Sequence, residues 1–95
     1  MKLSELTLQK VNLYLRVPDG EEDEITEVML SAAKSAVLTE TGLTAEEADA
    51  LPDITVAVLA MIGDMYENRT LTAQNAMRNP TVDTILRLHR KVMVV

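Results

Sequence analysis

An all-α fold, a compact bundle of about four helices plus one short helical turn, is predicted from three observations. Apolar residues recur at three- and four-residue intervals in four separate segments. Residues suited to helix caps stand at the segment borders: Thr7, Asp19, Thr44, Asp53 and Thr81 at starts, and Gly42 at an end. The chain has two tyrosines and no Phe or Trp, so its core must come from Leu, Val, Ile, Met and Ala, which suit closely approaching helices.

The elements follow in order. Thr7 caps a first helix carrying Leu8, Val11 and Leu15, which should end near Arg16 because Pro18 disfavours helical geometry at Val17. Asp19, with Glu22 three residues on, reads as a capping box leading through an acidic turn into a second helix. There Ile25, Val28, Met29, Ala32, Ala33, Ala36 and Val37 form one stripe expected to be buried. Gly42 should close it in the left-handed C′ position. Thr44-Ala45-Glu46-Glu47 is a second capping box, opening a short turn that runs to Ala50. Asp53 is the expected N-cap of the third main helix, whose Ile54, Ala57, Val58, Met61, Ile62 and Met65 share a face. Val56, Leu59 and Ala60 extend its apolar character around most of the circumference, more than a chain of 95 residues should cover by itself, so self-association is expected. Residues 68–79 read as a flexible loop, and Thr81 as the N-cap of a last helix with Val82, Ile85, Leu86 and His89. The tail Lys91–Val95 has four apolar residues out of five and suits strand-like association with a partner. Residues 1–95 are expected to form one domain, with 91–95 as its interaction tail.

The net charge of −6 is unevenly spread. Residues 1–18 carry +2, residues 19–53 carry −10 with Lys34 as the sole cation, and residues 54–95 carry +2. The cations of the last segment are Arg69, Arg78, Arg87, Arg90 and Lys91. One acidic side and one basic side suggest contact between neighbouring subunits. Met1–Glu5 lacks the apolar core of a signal peptide, and Val56–Ile62 falls well short of the roughly 20 residues that span a bilayer, so neither standard export nor a membrane location is expected.

Little in the chain suggests chemistry. Cysteine is absent, and the one histidine, His89, sits among Arg87, Arg90 and Lys91, which disfavours a metal ligand or a catalytic triad. The acidic run Asp19–Glu24 lacks the alternating ligands and the distal bidentate Glu of a calcium loop. Three glycines, Gly20, Gly42 and Gly63, are too scattered for a phosphate-binding loop. The expectation is a protein with no catalytic residue, no metal and no cofactor. Met29, Met61 and Met65 are expected in the core, and Met77 and Met93 in contacts with another chain.

The order of these features resembles the small head–tail connector proteins of long-tailed bacteriophages and prophages, a head-completion or adaptor family sometimes described as DNA-packaging proteins. The matching pieces are a first helix ending Tyr14-Leu15-Arg16-Val17, the acidic turn and the Ala-Ala-bearing helix closed by Glu40-Thr41-Gly42. The apolar helix after Leu51-Pro52, ending in Tyr66-Glu67-Asn68-Arg69, and a last helix leading into Arg90 complete them. The Tyr-Glu-Asn-Arg end is the most specific piece.

The resemblance implies a structural ring of about a dozen copies at the head–tail junction of the virion, built from heterologous contacts. That ring would dock beneath the portal protein, extend the DNA channel and receive a later head-completion or tail protein. Double-stranded DNA would pass its lumen without specific binding, and the subunits would wait in the host cytoplasm before assembly. Tyr66, Arg69, Arg87, His89, Arg90, Lys91, Val92 and Met93 are the candidate interface residues. The alternative is a small helical DNA-binding or regulatory protein acting as an oligomer. Against it stand the acidic pI of about 4.6 and the want of a basic, base-reading helix face.

Overall fold

Local sequence punctuates the chain into helices over residues 1–91, the part that the computed structural model describes; Val92–Val95 lie outside it. A 3-10 turn at Leu3–Glu5 precedes α1 (Leu8–Leu15), α2 (Asp23–Thr41), α3 (Ala45–Asp49), α4 (Pro52–Glu67), α5 (Ala73–Ala76) and α6 (Pro80–His89). Among the described residues there is no strand, and the fold is all-α.

Several borders fall where the sequence puts them. Thr7 Oγ1 accepts from the Lys10 amide, Thr44 and Glu47 form a complete capping box, and Gly42 closes α2 with φ 74°. Other borders move, each for a local reason. α1 stops because Arg16 turns left-handed at φ 60°, which lets the Val17 amide reach back to the Asn12 carbonyl at 2.9 Å. Asp19 does not cap α2; the helix starts at Asp23 after Glu22, whose side chain makes no capping bond. Asp53 and Thr81 are not N-caps either. Pro52 and Pro80 each take the first helical position, where a missing N–H costs nothing, so the caps fall on Leu51 and Asn79. Asn79 Oδ1 accepts from the amides of Thr81 and Val82. Residues 68–79, read as a loop, contain α5, capped by Thr72, with Ala76 buried against the core.

α4 is the axis. Ile54, Ala57, Val58, Met61 and Ile62 are fully buried and Met65 nearly so, as their spacing predicts. α2 and α6 pack along it, while α1, α3, α5 and the amino-terminal turn close the remaining sides. Thr55 is covered by the amino terminus, its Oγ1 donating to the Met1 carbonyl at 2.9 Å. The chain therefore encloses its own apolar helix, leaving Val56 exposed and Leu59 and Ala60 half-buried. The circumference of α4 is not a reason for self-association.

The buried face of α2 is turned from the expected one. It runs through Thr26, Ala33, Val37 and Thr41, whereas Ile25 is 40% and Val28 67% exposed. Two threonines can face the core because their hydroxyls bond back within the helix. Thr26 Oγ1 donates to the Glu22 carbonyl at 3.1 Å and Thr41 Oγ1 to the Val37 carbonyl at 2.7 Å. With those hydroxyls satisfied, methyls fill the core and Ile25 and Val28 swing to the surface.

Candidate interaction surface

Of the described candidate residues, Tyr66 and Arg69 lie at the carboxy-terminal end of α4 and His89 meets Asp53 at its amino-terminal end, positions that a rise of about 1.5 Å per residue sets about 20 Å apart. At its carboxy-terminal end the Tyr66 hydroxyl donates to Glu22 Oε2 and Arg69 Nη2 donates to Glu22 Oε1 at 2.9 Å. The Arg69 guanidinium also lies 5.2 Å from the centre of the Tyr66 ring, a cation–π distance. Three groups from the start of α2 and the end of α4 thus form one clamp. The Tyr66 hydrogen bond, and after it that of Arg69, hold the Glu22 carboxyl below the usual carboxylate range; the same Glu22 bond raises the Tyr66 hydroxyl.

Because Glu22 titrates lower folded than unfolded, the clamp contributes fully above the ordinary glutamate range and is lost as pH falls through the depressed folded value. Acidification should therefore release the start of α2 before the helices of the core melt. Tyr66 fluorescence should change at a higher pH than helical circular dichroism, and Glu22→Gln should abolish that first step. Coincident transitions in both proteins would show that the clamp is not a separate unit.

At the other end the basic residues find acids, but within the same chain. His89 Nε2 lies 2.7 Å from Asp53 Oδ2, Arg90 pairs with Glu40, and Lys91 pairs with Glu47. Arg87 pairs with Asp83 one turn back, at 3.0 Å. Lys91 lowers the Glu47 carboxyl pKa, helped by the Thr44 amide. The Lys91 amide donates to the Thr41 carbonyl at 2.9 Å, tying the exit of α6 to the end of α2. Exposed pairs of this kind hold geometry more than they stabilise. The basic residues of the charge contrast legible in the sequence are thus largely paired within the chain itself. Val92 and Met93 lie outside the described residues.

A surface that the sequence reading missed lies along α2. Ile25, Val28, Met29 and Ala32 form one wall of a groove of about 410 Å³, with Met65, Leu71 and Ala73 opposite. Glu24 and Arg69 stand at its rim. Its signal was the width of the α2 apolar stripe, too wide for one buried face. Met29 is half-buried there, Met61 and Met65 are core residues, and Met77 is half-buried against the core. Among the described residues no group of three or more His, Cys, Asp or Glu side chains could hold a metal ion. No described helix is long and apolar enough to cross a membrane.

A family model described as phage gp6-like head-tail connector protein matches residues 5–90. The chain belongs to that family, and its role is structural, in the virion. No curated protein and no solved structure matches it.

Proposed function

We propose that the protein forms a ring of about a dozen copies at the phage head–tail junction, through heterologous contacts between neighbours. The ring sits beneath the portal protein, extends the DNA channel, and offers the surface on which the next head-completion or tail protein docks. Residues 1–95 act as one connector domain, made in the host cytoplasm and recruited to the filled head. The family match over residues 5–90 carries this reading. The apolar groove of α2 supports it, since a subunit surface of this kind favours burial against a neighbour.

Glu21, Glu24 and Glu27 are exposed and take no part in the ion pairs among the described residues. Acids of this kind along a channel repel phosphates, so duplex DNA would slide without sticking. Because the basic residues at the end of α6 are engaged within the subunit, contacts between copies are chiefly apolar.

Gel filtration with light scattering tests this. The mass should rise with concentration toward a closed oligomer and should persist at 1 M salt, where the Debye length is only about 3 Å. A strict monomer at high concentration would contradict the ring. Dissociation by salt would show that charge, and not the groove, holds the copies together.

A further inference from the structure

We propose that the α2 groove is filled by the segment Val92–Val95 of a neighbouring copy, a deepening that rests on the assembly reading above. The donor and acceptor sites lie toward opposite ends of one helix. Lys91, from which the segment continues, is fixed at the carboxy-terminal end of α2 by the hydrogen bond its backbone N–H donates to the Thr41 carbonyl and by its pairing with Glu47. The groove lies in the amino-terminal half of α2, centred on Val28 and Met29.

Thirteen residues separate Val28 from Thr41, about 20 Å along the helix axis. Four residues span at most about 14 Å even when fully extended, so the segment cannot fill the groove of its own chain. A second copy placed head to tail removes the mismatch, because the end of one α2 then meets the start of the next. Such a contact joins two different surfaces and repeats from copy to copy until the ring closes.

Chemistry also matches. The side chains of Val92, Met93, Val94 and Val95 are uncharged, and the groove walls include Ile25, Val28, Met29, Met65 and Leu71. The methionines on both sides suit an adaptable apolar contact.

The chain has no cysteine, so a disulfide can be placed freely. One preparation carries Val28→Cys and another Val94→Cys; Val28 is exposed, so the first substitution leaves the core untouched. Mixed under mild oxidation at concentrations where light scattering detects oligomers, the two should give a covalent two-chain species. Adding Ile25→Glu to the acceptor should reduce its yield about tenfold, the factor that 1.4 kcal/mol of lost apolar contact represents. Oligomers that form without the cross-link would overturn the tail–groove contact and leave the ring standing. A doubly substituted chain that closes its disulfide internally would overturn it as well. A protein that never oligomerises would overturn both readings together.

Discussion

Replacing Ile62 with aspartate should unfold the protein. Ile62 is fully buried on α4, among residues supplied by the chain itself, so no subunit interface offers the new carboxylate water or a partner. Burial of an unpaired charge costs several kcal/mol, and the lost apolar contact adds about 2 kcal/mol. A small domain has a total stability of only about 5–10 kcal/mol. Helical circular dichroism at neutral pH should therefore collapse, whereas Ile62→Val should cost only about 1 kcal/mol and keep the fold. A folded Ile62→Asp monomer would mean that α4 is not the enclosed axis.

The second large effect belongs to Asn12, a buried side chain on α1. Its Nδ2 donates to Asp19 Oδ1 at 3.1 Å and to Asp23 Oδ1 at 3.0 Å, and the Gly20 amide also donates to Asp23 Oδ1, at 3.0 Å. One amide thereby holds two carboxylates of the acidic turn and sets where α2 begins. Asn12→Asp would replace the shared donor with a third carboxylate. Like charges about 4 Å apart repel by about 4 kcal/mol at a near-surface effective dielectric.

A net loss of about 3 kcal/mol is expected, a fall in melting temperature of about 15 °C at neutral pH. The introduced carboxyl would titrate higher in the folded state than in the unfolded one. Its penalty should therefore shrink as pH falls toward the ordinary carboxylate range, near 4. Asn12→Leu, which removes the donors without adding charge, should cost about 2 kcal/mol. Wild-type melting of Asn12→Asp at neutral pH, measured with a chelator present, would show that the amide does not organise the turn.

Asn12 also shows where sequence reading stops. A polar residue beside Val11 looks like the solvent side of α1, because its partners Asp19 and Asp23 join it only once the chain has turned at Arg16. The α4 stripe was legible in full because its apolar residues really do face the chain's own core. The α2 stripe was legible as helix but not in its facing, since Thr26 and Thr41 satisfy their hydroxyls internally and take core positions that polarity would deny them. Arg69, Arg87, Arg90 and Lys91 were recognisable as a basic set, yet nothing local reveals that Glu22, Asp83, Glu40 and Glu47 answer them inside one subunit. The groove escaped notice because its far wall comes from α4 and the segment around α5, which spacing along α2 cannot report.

Electron microscopy of heads made with and without this chain tests the connector role most directly. With it, ring density of subunit size should sit below the portal of DNA-filled heads, and labelled chain should localise there. Without it, filled heads should accumulate with neither the ring nor a tail. Complete tailed particles assembled in its absence, or label found anywhere but the head–tail junction, would contradict the role proposed for this protein.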